Sequence, residues 1–149
     1  MEAGVLYVDD EENNLNSFKA LFRRDFAVYT ALSGAEGRKV FERHEIGVVI
    51  TDQRMPGMSG IEFLESIIPV FPDTVRILMT GFSDMNAVID AINRGQVYKY
   101  LVKPWHNEDL RLHIQNALEL YNLRKDNKIL TRKLQMAQIQ IDVLTQSKN

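Results

Sequence analysis

Along this chain, short apolar runs alternate with stretches in which apolar side chains recur every three or four positions, the pattern of strands and helices built around a parallel sheet. Five such repeats are readable, with strands expected at Val5 to Val8, Phe26 to Thr30, Ile46 to Thr51, Val75 to Met79 and Val97 to Val102. The first helix is predicted from about Asn13 to Arg24, with Leu15, Phe18, Leu21 and Phe22 on its buried face. Ser33 with Glu36, and Ser59 with Glu62, each fit a capping box, so helices two and three are expected to start there. Val88, Ile89 and Ile92 give a fourth helix its buried face, and Gly95 is placed to end it. Asn107 is the expected cap of a fifth, with Glu108 and Asp109 favourable in its first turn.

No Gly or Pro follows Pro104, so that fifth helix has no stop signal. Its apolar residues settle into a seven-residue repeat, with Leu120, Asn127, Leu134 and Ile141 at a positions and Leu123, Leu130, Ala137 and Leu144 at d positions. Such a repeat predicts a coiled coil, and a polar Asn127 at an a position favours a parallel two-stranded pairing. Glu119 at g is then placed to meet Arg124 at e of a partner. The other reading is a solvated amphipathic helix folded back on its own domain. Arg124, Lys125, Lys128, Arg132 and Lys133 make a basic stretch, but the heptads run straight through it, so a solvated helix face is expected rather than a DNA-contacting region.

The strand ends carry the chemistry. Strand one runs into Asp9 and Asp10, strand three into Asp52, strand four into Thr80 and Gly81, and strand five into Lys103 and Pro104. In an open parallel sheet these tips converge on one crevice, where such folds hold ligands. Adjacent carboxylates repel one another unless a cation neutralises them, and oxygen-only ligation points to magnesium rather than zinc. Magnesium beside an ammonium and a hydroxyl suits a phosphoryl group, and Asp52 is then the nucleophile, giving an acyl phosphate. His44, His106 and His113 have no metal-ligand spacing and are read as surface residues.

At 149 residues and 45% apolar side chains, the chain is expected to hold one core, over residues 1–118, plus a helical appendage over 119–149. A formal charge of −2 offers no basic field to nucleic acid, and no 18-residue apolar stretch or export leader is seen, so a cytoplasmic protein is expected. Cysteine is absent, which removes disulfides and thiolate metal sites.

Val8-Asp9-Asp10, Asp52 with Met55-Pro56-Gly57 behind it, Thr80-Gly81, and Tyr100-Leu101-Val102-Lys103-Pro104 resemble the receiver domain of bacterial two-component response regulators. The resemblance covers about residues 4 to 118. It implies an α/β (βα)5 fold with strand order 2-1-3-4-5, phosphorylated on Asp52 by a histidine kinase or a phosphotransfer protein. It implies that Asp10, Asp52 and the backbone carbonyl of Arg54 bind Mg2+ directly, that Asp9 acts through water, and that Lys103 contacts the phosphoryl oxygens. The Lys103 to Pro104 bond is implied to be cis, and Thr80 and Tyr100 to be a switch pair reshaping the face of helix four, strand five and helix five. Arg54 and Phe82, each two positions past a motif residue, are expected to control water access to the phosphoryl group. The Pro104-Trp105 pair and the segment Asp73 to Leu78 look like receivers of hydrogenase-control regulators and of those fused to cyclic-dinucleotide phosphodiesterases. An output domain is not seen in the sequence, and the segment from Gln146 to Asn149 reads as a cut linker or a free end. The competing class is a magnesium-dependent phosphatase of the haloacid dehalogenase type, which needs a second Asp two residues past the nucleophile, where Arg54 stands.

Overall fold

A computed structural model describes residues 2–81, 89, 92, 94 and 96–147. Five parallel strands, β1 Gly4–Val8, β2 Val28–Ala31, β3 Ile46–Asp52, β4 Val75–Thr80 and β5 Lys99–Val102, form one sheet in the order β2-β1-β3-β4-β5, as expected. The described helices are α1 Glu12–Phe22, α2 Gly34–Arg43, α3 Gly60–Ile67 and a C-terminal helix, Asn107–Ser147.

The central strands are largely apolar, Arg76 in β4 excepted, because both faces are covered, and alternate residues feed two cores. Val5, Tyr7, Val48, Ile50, Ile77 and Met79 join α1 and the C-terminal helix through Phe18, Phe22, Leu110, Ile114 and Tyr121. Leu6, Val8, Val49 and Leu78 join α2 and α3 through Phe41, Phe63, Leu64 and Ile67. Burying a ring such as Phe22 or Phe63, each essentially inaccessible, contributes roughly 1.5–3 kcal/mol. Thr74 donates from its hydroxyl to the Ile46 carbonyl at 2.7 Å, fixing the start of β4 against β3.

Several local expectations shift. On α1, Leu15, Phe18 and Phe22 are buried, but Leu21 lies on the exposed flank, about 100° around the helix from Phe22. The second strand begins at Val28, two residues late, since Phe26 is still tied to Phe22 through its amide and packs beside it. The α3 capping box is complete, with the Ser59 hydroxyl accepting from the Glu62 amide and Glu62 accepting from the Ser59 amide. At α2 it is half formed: Ser33 accepts from the Glu36 amide, whereas the Glu36 carboxylate accepts from Leu32 instead. Ile89 is exposed where a buried face was expected, while Ile92 does pack on the α2 and α3 core; Val88 and Gly95 lie outside the described residues. Asn107 is the first helical residue rather than the cap, since His106 already supplies the carbonyl that accepts from the Leu110 amide.

The C-terminal helix crosses residue 118 without interruption and stays packed against the domain beyond it. Tyr121 is buried and donates to Glu45 at 2.8 Å, and the Lys125 ammonium lies 2.6 Å from the same carboxylate oxygen. Arg124 donates to the Asp73 carbonyl at 3.2 Å, and Lys128 lies 3.4 Å from the Asp73 carboxylate. Three of the five cations expected on a solvated face therefore hold the helix to the base of the sheet. Past this clamp the helix runs exposed to Ser147 rather than folding back.

Candidate functional site

The sheet brings the C-terminal ends of its strands to one edge. There the carboxylate oxygens of Asp9, Asp10 and Asp52 fall within 4.8 Å of one another. The Lys103 ammonium stands 3.1 Å from Asp52 Oδ2. Asp9 is fully buried, Asp52 is partly covered and Asp10 faces solvent. Among the described residues, the Lys103 ammonium pairs with one of three clustered carboxylates. Burial pushes the Asp52 carboxyl above its ordinary range, with the neighbouring Asp9 charge adding and Lys103 opposing. A hard divalent cation is what such a donor set accommodates: oxygen ligands only, one side open to solvent, and three carboxylates crowded together, all of which fit magnesium.

Asp9 is held by three donors. The Tyr7 hydroxyl donates to Oδ2 at 2.8 Å, Asn14 Nδ2 to the same oxygen at 3.1 Å, and the Glu11 amide to Oδ1 at 2.9 Å. Alternation along an extended strand puts Tyr7 and Asp9 on one face, which is how a phenol two residues upstream reaches the carboxylate. Asn14 comes from the first turn of α1.

Asp52 is fixed from behind. The Gln53 amide donates to the Met79 carbonyl at 2.9 Å, and Gln53 Oε1 accepts from the Ile61 amide at 2.9 Å, joining the strand end to the start of α3. A Cβ on Gly60 would sit 2.4 Å from the Asp52 carbonyl oxygen, so only glycine lets α3 press this closely on the Asp52 peptide. Gly57, at φ +79°, turns the loop between them.

On the other side, Thr80 is fully buried and its carbonyl accepts from the Lys103 amide at 3.0 Å, so strand pairing itself sets Lys103 beside Thr80. The Thr80 hydroxyl donates to the Gly81 carbonyl at 3.3 Å. The Lys103–Pro104 peptide is cis, as implied. Tyr100, opposite Leu78 on the edge strand β5, is 44% exposed. Arg54 is exposed two residues past Asp52, and Phe82 lies outside the described residues. Sequence reading missed Tyr7, Asn14, Gln53 and Gly60; the strand period alone was signal enough for Tyr7.

On the C-terminal helix, Leu123, Leu130, Leu134, Ile141 and Leu144 are each more than half exposed, and Asn127 and Ala137 are exposed too. Leu120 differs: it is half-buried against its own domain's core. Arg124, expected to meet Glu119 of a partner, is engaged by Asp73 of its own chain.

The family model for the response regulator receiver domain matches residues 5–115. Hydrogenase transcriptional regulatory protein HoxA of Cupriavidus necator is 34% identical over 125 residues, covering 84% of this chain and 26% of the relative. The chain thus spans about a quarter of the length of the curated relatives it matches. A structure described as adenylate cyclase from Rhodopirellula baltica superposes with a TM-score of 0.83 at 31% identity, over 89% of this chain and 99% of that one. The signal receiver domain of an HD domain-containing protein from Pseudomonas fluorescens Pf-5 gives 0.76 at 31% identity, over 82% and 98%. These matches, with Arg54 standing where haloacid dehalogenase chemistry needs an acid, decide against the phosphatase reading. The family model spans the strand ends that carry these carboxylates and the lysine, and the chain belongs to the response regulator receiver domain family.

Proposed function

We propose that Asp52 accepts a phosphoryl group from a phosphohistidine on a sensor histidine kinase or a phosphotransfer protein. The observation that carries this is the single partly covered carboxylate flanked by two others within 4.8 Å and by an ammonium at 3.1 Å. An Asp52 oxygen bonds to phosphorus as the donor's phosphorus–nitrogen bond breaks, and the departing imidazole keeps the electron pair and takes up a proton. Lys103, freed from its pair with the carboxylate, neutralises a phosphoryl oxygen. Mg2+, held by Asp10, Asp52 and the Arg54 backbone carbonyl with Asp9 behind them, would supply charge neutralisation between the carboxylates and the arriving group. The chain catalyses its own phosphorylation and a slow dephosphorylation, and is otherwise a signalling module rather than an enzyme.

Readout passes through Thr80 and Tyr100. A hydroxyl at the tip of β4 reorients toward the phosphoryl group, and the exposed Tyr100 ring turns into the space it leaves, reshaping the face formed by the fourth helix, β5 and the C-terminal helix. The receiver proper occupies residues 1–118 and a dimerisation helix residues 119–149. Leu123, Asn127, Leu130, Leu134, Ala137, Ile141 and Leu144 form the seam of a parallel homodimer, and Leu120 caps it at the domain. The row of exposed leucines and isoleucines supports this, since such a stripe is costly to leave in water. The dimer hands the signal to an output element, a reading supported by relatives named as transcriptional regulatory proteins that are about four times as long as the stretch they share with this chain. No described helix is long and apolar enough to cross a membrane. Incubation with Mg2+ and acetyl phosphate tests the core of this: one phosphoryl group should be gained, labile to hydroxylamine as acyl phosphates are. No gain, or a hydroxylamine-resistant adduct, would refute it.

A further inference from the structure

Tyr7 takes no part in the chemistry above, yet its hydroxyl is directed into it. The ring is inaccessible to solvent and wedged against Phe18, with ring centroids 4.4 Å apart, in the core shared by α1 and the C-terminal helix. A rigid core rather than a mobile side chain therefore sets the position of the phenol oxygen, 2.8 Å from Asp9 Oδ2. That oxygen also accepts from Asn14, and Oδ1 accepts from the Glu11 amide. A carboxylate has about four lone-pair sites. Among the described residues, Tyr7 and Asn14 fill those of Oδ2 and Glu11 fills one on Oδ1, which leaves a single acceptor site, on Oδ1.

We infer that Tyr7 is a positioning residue that fixes Asp9 as a one-sided ligand-shell group and so tunes the site toward magnesium and against calcium. The inference rests on the magnesium reading of the site. Magnesium demands near-octahedral geometry and one oxygen per carboxylate, whereas calcium takes six to eight oxygens and readily accepts both from one carboxylate. Asp9, standing behind the direct ligands with its Oδ2 occupied by a phenol and an amide, would meet the magnesium shell through Oδ1 alone and has no second oxygen with which to close on calcium. Freed of Tyr7, it would rotate within a cluster of like charge, and the outer groups that orient metal ligands typically account for 10- to 100-fold in affinity.

The test is calorimetric titration of the full chain with MgCl2 and with CaCl2, comparing the unaltered protein with Tyr7→Phe and with Asn14→Ala. Tyr7→Phe keeps the ring and its packing on Phe18, and circular dichroism at the titration temperature establishes that each variant is folded. Magnesium affinity should fall about tenfold in Tyr7→Phe while calcium affinity falls less or rises, narrowing the ratio between the ions; Asn14→Ala, which removes the other donor to Oδ2, should move both in the same directions. A Phe18→Leu control disturbs the packing but leaves the hydroxyl, and its magnesium affinity should stay within twofold of the parent. Equal magnesium affinity in folded Tyr7→Phe, or an equal loss for both ions, overturns the inference while leaving the magnesium site standing. No magnesium binding by the parent overturns the site reading and the inference together.

Discussion

Lys103 Nζ lies 3.1 Å from Asp52 Oδ2, an ion pair that links the tip of β3 to the residue just past β5 across β4. On the proposed function, this ammonium neutralises Asp52 before transfer and a phosphoryl oxygen after it. Lys103→Ala should therefore leave Asp52 phosphorylatable by a small donor but slow the reaction by about 10- to 100-fold, equivalent to roughly 1.4–2.7 kcal/mol of barrier. Intact-mass time courses at saturating Mg2+ read this directly. An unchanged rate would remove Lys103 from the mechanism.

The raised Asp52 carboxyl carries a stability consequence with a definite sign. Its proton is held more tightly in the fold than in the unfolded chain, so the ionised form costs stability above the raised value, and the cost is relieved as pH falls through it. At neutral pH Asp52→Asn should melt higher than the parent by about 3 °C, near what 1 kcal/mol makes in a domain of this size. The gap should shrink in acid, and also when Mg2+ stabilises the parent by mass action. Thermal scans across pH, with and without Mg2+, check all three; a variant less stable at neutral pH contradicts this electrostatic account.

How much of this was legible beforehand is clearest at individual residues. Asp9, Asp10, Asp52, Thr80 and Lys103 were visible because each directly follows or ends an apolar run, and strand ends in a parallel sheet meet at one edge whatever the details. Gln53 and Gly60 were not, because their roles depend on where α3 docks: Gly60 is glycine for the sake of an Asp52 carbonyl eight residues away, a contact no periodicity encodes. The basic stretch misled for a similar reason. Arg124, Lys125 and Lys128 fit a solvated helix face by spacing, and only the tertiary position of Glu45 and Asp73 turns them into a clamp. Leu21 and Ile89 show the same limit, since a helical period marks an apolar face without saying how far the sheet extends beneath it.

That clamp joins the receiver to its helix. Lys125 and Tyr121 hold the Glu45 carboxyl below the usual carboxylate range, so the stability this group contributes is present above the unfolded value and is lost as pH falls through the depressed one. Glu45→Lys, which sets like charge against Lys125, should lower amide hydrogen-exchange protection over residues 121–128 by about tenfold, or roughly 1.4 kcal/mol of local opening, with little change at α2 and α3. Uniform loss of protection across the domain would show the clamp to be part of global stability instead.

The exposed seam predicts association. The parent should sediment as a dimer at tens of micromolar, and Leu130→Glu with Leu134→Glu, which put charge at consecutive d and a positions, should sediment as a monomer with an unaltered receiver spectrum. A monomeric parent would contradict the heptad reading.

Arg54 follows Asp52 by two positions and is exposed, and the proposed function gives it the role of covering the phosphoryl oxygens against water. Phe82 is assigned the same role on sequence grounds. The aspartyl phosphate should persist for many minutes, and Arg54→Asn with Phe82→Ala should speed its loss by about tenfold, or about 1.4 kcal/mol. Decay followed by intact mass after donor removal decides it; loss within seconds in the parent, or no acceleration in the double variant, takes both side chains out of that role.

The most direct measurement of the central claim is peptide-level mass spectrometry of the chain and its Asp52→Asn variant after the same exposure to acetyl phosphate and millimolar Mg2+. Asp52 alone should carry the phosphoryl group, and the variant should carry none. Undiminished phosphorylation of Asp52→Asn, or a modified residue outside the cluster of Asp9, Asp10 and Asp52, would contradict the account.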